Sequence, residues 1–134
     1  MLFRSVNEGR IMYELSIERE FSAAHFIEHY DGPCANMHGH NYKVQIFLEG
    51  EKLDPKTTIL LDFKDIKKIL DELIDQLDHK VLNEVLDFNT SAEMMAYYFY
   101  AQVTARLDAP VRVTKATVWE NEYCSASYFI PQQP

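Results

Sequence analysis

Three histidines carry the strongest chemical signal in this chain. His38 and His40 stand two residues apart in Cys34-Ala35-Asn36-Met37-His38-Gly39-His40, and His25 closes the upstream stretch Phe21-Ser22-Ala23-Ala24-His25. On a strand, an i, i+2 spacing puts two imidazoles on the same face. A third imidazole at the end of a paired strand converges on them. Three neutral nitrogens with one open position form the ligand set of a catalytic zinc ion, not of a closed structural site. Such an ion acidifies a bound water or hydroxyl, or polarises a carbonyl. An HxH pair alone is weak, because a histidine on a strand face is ordinarily a core or surface residue. HxH also opens the cupin pattern, in which a glutamate follows within a few residues. Here the first carboxylate after His40 is Glu49, which argues against a cupin. His29 falls in turn-forming sequence and reads as a surface or loop residue.

These histidines need two adjacent strands, and the hydrophobic pattern supplies them. Over residues 13–26, Tyr13, Leu15, Ile17, Phe21, Ala23 and His25 share one parity and Glu14, Ser16, Glu18 and Glu20 the other. That period of two predicts a long strand with one buried face. Asp31-Gly32-Pro33 breaks regular structure. Residues 38–49 predict a second strand, with Tyr42, Val44, Ile46 and Leu48 on one face. The two read as an antiparallel pair with an elaborated connection. Asp62 is a predicted N-cap for a helix over 63–77, whose apolar stripe is Ile66, Ile69, Leu70, Leu73, Ile74 and Leu77. Residues 78–89 read as irregular. Thr90-Ser91-Ala92-Glu93 matches a capping box for a second helix ending near 107. Residues 111–119 and 125–130 are β-branched and aromatic, and predict two closing strands around Asn121-Glu122. Cys124 reads as a packing residue. The order is β-β-α-α-β-β, an α+β fold with an antiparallel sheet.

Composition sets the outer bounds. The chain has 134 residues, with 13 Lys+Arg against 21 Asp+Glu, a net charge of −8. That length fits one domain: residues 12–134, preceded by an N-terminal extension over 1–11. Apolar residues make up 47% and charged residues 25%, the balance of a soluble globule. The acidic balance argues against nucleic acid and anionic membrane as general partners, since both need a positive footprint. Two cysteines, Cys34 and Cys124, allow at most one bridge and no disulfide framework. No apolar run reaches the length of a membrane span, and the first residues lack a signal-peptide core. A reducing, cytoplasmic setting is expected.

Six stretches together resemble the 6-pyruvoyl-tetrahydropterin synthase family. They are Phe21-Ser22-Ala23-Ala24-His25, Cys34-x-x-x-His38-Gly39-His40-Asn41-Tyr42, Leu61-Asp62-Phe63, Leu77-Asp78-His79-Lys80-x-Leu82-Asn83, Ala92-Glu93 and Trp119-Glu120. The short spacing from Cys34 to the HGH triplet is similar to the bacterial branch, the 6-carboxy-5,6,7,8-tetrahydropterin synthases of queuosine (7-deazaguanine) biosynthesis. The resemblance implies zinc at His25, His38 and His40, a catalytic role for Cys34, and proton transfer assisted by Asp78 and His79. It implies that Glu120 anchors the pterin. Physical chemistry is compatible with these roles. A nearby Zn²⁺ favours a thiolate, and a carboxylate accepts two hydrogen bonds from an N–H edge. The family's Asn-Pro-Thr-x-Glu-Asn stretch is here Asn89-Thr90-Ser91-Ala92-Glu93-Met94, so Ser91 and Glu93 carry over as pterin-pocket residues without the proline and the last asparagine.

The resemblance also implies an assembly and a reaction. Family members use the tunnelling fold (T-fold): a four-stranded antiparallel sheet with two helices on one face, three copies closing a 12-stranded barrel. Two trimers stack into a homohexamer, with sites at subunit interfaces. The implied reaction converts 7,8-dihydroneopterin triphosphate to 6-carboxy-5,6,7,8-tetrahydropterin, releasing acetaldehyde and triphosphate. A pyruvoyl-forming synthase or a related pterin side-chain aldolase is the first alternative, and a non-catalytic metal- or pterin-binding module the second. Arg19, Lys43 and Lys80 are the cations considered for the triphosphate.

Overall fold

A computed structural model describes residues 10–108 and 110–131. Strand β1 (Tyr13–His25) pairs antiparallel with β2 (His38–Gly50) in one unbroken register, from Tyr13 opposite Gly50 to His25 opposite His38. Strand β3 (Arg112–Trp119) pairs with β2, with a bulge between Phe47 and Leu48. Strand β4 (Ser125–Phe129) pairs with β3, giving the sheet order β1-β2-β3-β4. Asn121 shapes the last turn, its Oδ1 accepting from the Tyr123 and Cys124 N–H groups at 2.8 and 2.9 Å.

The period of two decides which face is covered. Ile17, Phe21, Ala23 and His25 of β1, Tyr42, Val44, Ile46 and Leu48 of β2, and Ala116 and Val118 of β3 are all buried. Helices α1 (Phe63–Asp75) and α3 (Ala92–Arg106) complete this core. The first contributes Ile66, Leu70, Leu73 and Ile74, the second Met95, Ala96, Phe99 and Val103. Fully burying each of the Ile, Leu, Val, Met and Phe side chains among them contributes about 1.5–3 kcal/mol. The opposite sheet face is polar, with Lys43 3.9 Å from Glu18 and Thr117 Oγ1 2.7 Å from Ser127 Oγ.

Asp62 caps α1 as the sequence predicts, accepting from the Lys64 N–H at 2.9 Å. The helix stops at Asp75, two residues short of the periodic stripe, and Leu77 is buried after the helix end. Three differences bear on function. Residues 78–89 are not wholly irregular: they contain a short helix α2 (Leu82–Val85), and Val81 forms a parallel bridge with Ala24 on the edge of β1. The cap of α3 is Ser91, whose Oγ accepts from the Met94 N–H at 3.2 Å, and not Thr90. Cys124 is exposed in the turn before β4 and packs in no core. Its neighbours there are the backbone groups that Asn121 organises. The predicted N-terminal extension over 1–11 falls mostly outside the described residues; Arg10 lies 2.7 Å from Glu51. Among the described residues no helix is long and apolar enough to cross a membrane.

Candidate metal centre

The β1–β2 register brings the three histidines together. His25 lies opposite His38, and Ala23 opposite His40, so all three imidazoles share the core-facing side at one end of the sheet. Their ring centroids are 4.6 to 5.1 Å apart. One ligand nitrogen from each ring falls within 4.8 Å of the other two, so the trio can hold a metal ion.

Neighbouring groups orient the rings. His25 Nδ1 lies 2.9 Å from the Thr90 carbonyl oxygen and 3.2 Å from Thr90 Oγ1. Donation from Nδ1 to that carbonyl leaves Nε2 with the lone pair. His38 Nδ1 donates in the same way to the Asn36 carbonyl at 2.7 Å. The Nε2 atoms of His25 and His40 are buried without a hydrogen-bond partner. Orphaned buried nitrogens are costly unless something binds them, and a cation accepted by their lone pairs fits them. Protonation is also disfavoured. Burial lowers His25 from 6.5 to about 4, opposed by the Thr90 carbonyl and reinforced by His38 and His40. Burial lowers His40 as well, with Glu120 acting against it. Neutral imidazole is the metal-binding form.

Glu120 follows β3, and its Oε2 lies 3.8 Å from His25 Nε2. Beneath the histidines sits Tyr42, fully buried, its ring 5.8 Å from His25 and 5.3 Å from His40. Its hydroxyl has no partner. Burial, with the charge of Glu120, pushes that phenol above its ordinary range. The sequence pattern identifies Tyr42 only as core and Thr90 only as a cap. The missed signal for Thr90 is the choice between two adjacent hydroxyls at the helix start, and that choice depends on a distant strand.

Asp78 and His79 form a pair of their own. Asp78 Oδ1 accepts from the Ser22 N–H at 2.9 Å and lies 3.0 Å from His79 Nδ1. The Ser22 N–H is the main cause holding the Asp78 carboxyl below its ordinary range, and His79 adds to it. The His79 N–H donates to the Ser22 carbonyl at 2.6 Å, with a left-handed backbone (φ 60) and an exposed ring. That conformation costs about 1–2 kcal/mol in a non-glycine residue, offset here by the contacts with Ser22. Among the described residues no hydrogen bond or ion pair joins Asp78 or His79 to the three histidines. His79 and His40 do line one open groove of about 700 Å³ along the β1 edge, with Ser22, Asn41 and Lys80.

Cys34 is exposed in a single 3₁₀ turn, Pro33–Ala35, and its carbonyl accepts from the Ile27 N–H at 2.8 Å. Ser91 Oγ accepts from the Met94 N–H as the α3 cap, and Glu93 is exposed in the first turn of that helix. Of the cations considered for a triphosphate, Arg19 is engaged by Asp71 at 2.9 Å, and Lys43 lies over the Trp119 ring at 4.8 Å. A larger hollow of about 820 Å³ lies at the far end of the strands beside Glu49 and Arg112. Those two groups pair with each other, and no candidate site residue lines it.

Residues 14–131 match the family model of 6-pyruvoyl tetrahydropterin synthase. The chain is 26% identical to a 6-carboxy-5,6,7,8-tetrahydropterin synthase of Haemophilus influenzae, over 87% of this chain and 99% of that protein. It is 30% identical to a dihydroneopterin monophosphate aldolase of Pyrococcus furiosus, over 87% of this chain and 94% of that protein. Among solved structures, the Caenorhabditis elegans 6-pyruvoyl tetrahydropterin synthase superposes with a TM-score of 0.81 at 25% identity, covering 97% of this chain and 100% of that one.

Proposed function

This chain belongs to the 6-pyruvoyl tetrahydropterin synthase family, and from that premise we propose that it is a zinc-dependent 6-carboxy-5,6,7,8-tetrahydropterin synthase acting in queuosine biosynthesis. The substrate is 7,8-dihydroneopterin triphosphate, and the products are the 6-carboxy pterin, acetaldehyde and triphosphate. The observation that carries this reading is the convergence of His25, His38 and His40 with two orphaned Nε2 atoms beside Glu120. Zinc bound by these three rings supplies Lewis-acid chemistry toward oxygen groups of the substrate side chain.

The chain's own residues do the rest. Glu120 accepts the N–H edge of the pterin and turns its side chain toward the histidines; a fixed ring turns proton transfer into an intramolecular event. Ser91 and Glu93 complete the pterin pocket at the start of α3. Cys34 removes a proton at Sγ, and the open turn that carries it gives the thiol access to substrate. His79, held by Asp78, returns a proton as the ring is reduced at the expense of the side chain. Asp78 and His79 lie on the outer edge of β1 and serve the site of a neighbouring subunit, in a trimer that closes a barrel and stacks into a hexamer.

Identifying the products formed from 7,8-dihydroneopterin triphosphate tests this reading. Acetaldehyde with a carboxypterin is the expected result. A pyruvoyl pterin would move the chain to the synthase branch. An aldolase product would favour the related pterin side-chain aldolase, the activity after which the Pyrococcus furiosus relative is named. Unchanged substrate would leave a binding module.

A further inference from the structure

We propose that Asn83 and Asn89 are positioning residues that hold the Cys34 turn in register with the three histidines. Residues 26–28 continue the chain of β1 beyond His25, where backbone pairing with β2 has ended. Two side-chain amides replace the missing strand. The Phe26 N–H donates to Asn83 Oδ1 at 3.0 Å, and Asn83 Nδ2 donates to the Phe26 carbonyl at 2.9 Å. The Glu28 N–H donates to Asn89 Oδ1 at 2.9 Å, and Asn89 Nδ2 donates to the Glu28 carbonyl at 3.0 Å. The residue between them turns to the other side, and the Ile27 N–H donates to the Cys34 carbonyl at 2.8 Å.

The same stretch also grips the metal centre. Thr90, next to Asn89, holds His25 Nδ1 through its carbonyl. One segment, residues 83–90, therefore fixes a histidine ligand and both flanks of the residue on which the Cys34 turn hangs. A primary amide suits the two clamping positions, because it presents a donor and an acceptor side by side. Aspartate keeps the acceptor and loses the donor, and alanine loses both. Four hydrogen bonds to two alternate residues define where Ile27, and so Cys34, stands.

This inference rests on the proposed role of Cys34, and its test separates the two. In a Cys124→Ser background Cys34 is the sole thiol. Its alkylation rate by iodoacetamide is measured on the full chain with and without Zn²⁺. With both asparagines intact, zinc is expected to change that rate by about threefold or more, through its effect on the thiolate. Asn83→Ala combined with Asn89→Ala is expected to abolish the response while zinc stoichiometry stays unchanged. Turnover should show kcat down about 10- to 100-fold with KM within about twofold, the signature of a misplaced group. Asn89→Ala alone removes one rung and keeps the test open if the double variant does not fold; it should lose part of the response. A general loss of stability would lower Tm without touching the zinc response. An intact zinc response in the folded variants, or none with both asparagines present, overturns the proposal. A response lost in the variants alongside no pterin turnover by any form sinks the pterin reading and leaves the clamp standing.

Discussion

His25 shows how one residue's surroundings serve a site at a cost that can be measured. Its ring is fully buried, and burial lowers its titration from 6.5 to about 4. In the unfolded chain the same ring titrates near 6.5, so between these values only the unfolded state takes up the proton. The contribution of this group to the stability of the metal-free protein is therefore complete above about pH 6.5, falls as pH drops toward 4, and loses nothing further below it. The shift corresponds to about 3 kcal/mol. Urea unfolding of metal-free protein at stepped pH values should show this loss, and His25→Asn should reduce it, leaving the smaller part that buried His40 adds in the same direction; an equal slope in the variant assigns the loss elsewhere. At this scale the sequence was partly legible. His38 and His40 declare themselves because a strand's period puts both on one face, and His25 because it ends a strand of the same parity. Thr90 does not, because its partner is 65 residues away and nothing local marks it. Tyr42 is equally silent, since an alternating strand makes any aromatic at that position look like core.

The elements were more legible than their ends. Both long strands, both long helices and the closing hairpin follow from periods of 2 and 3.6. The cap of α3 shows why boundaries are harder. Thr90-Ser91-Ala92-Glu93 allows either hydroxyl to cap, and the tertiary demand of His25 on Thr90 leaves the task to Ser91. The short helix α2 and the bridge from Val81 to Ala24 are invisible locally because they exist only against the edge of β1. Ser91 thus has two assignments, a cap and a pterin contact, and they are separable. Ser91→Ala removes the cap, which costs about 1 kcal/mol and lowers Tm by about 4 °C. Aspartate caps equally well but has no hydroxyl hydrogen to donate. Ser91→Asp is therefore expected to recover Tm while KM for the pterin stays raised. A KM that recovers together with Tm would confine Ser91 to capping.

At the scale of the whole molecule, the net charge of −8 argues against polyanions as general partners but says little about a small anionic substrate. A divalent cation held by the three histidines would bring two positive charges into the pocket that the net charge does not count. The sheet also has two ends to account for. Among the described residues, only the last residues of β1 are covered along its outer edge, by residues 79–81, and exposed strand edges are templates for further pairing. Asp78 and His79 stand on that edge, outside the hydrogen-bonded shell of their own histidines. In the proposed trimer they complete the site of the next subunit, while Cys34 stays with its own. That arrangement has a quantitative consequence. Cys34→Ala and His79→Ala are each expected to be inactive alone. If subunits of the two variants are mixed equally and exchanged, a site built from two chains receives a native Cys34 half the time and a native His79 half the time. About a quarter of the sites should then be whole, since random assembly of a closed ring draws each contribution independently. Activity of the exchanged mixture should rise from background to about a quarter of the native value. No recovery after exchange, with mixed trimers verified by native mass spectrometry, would place His79 and Cys34 in the same chain's site and point instead to the groove that His79 shares with its own His40.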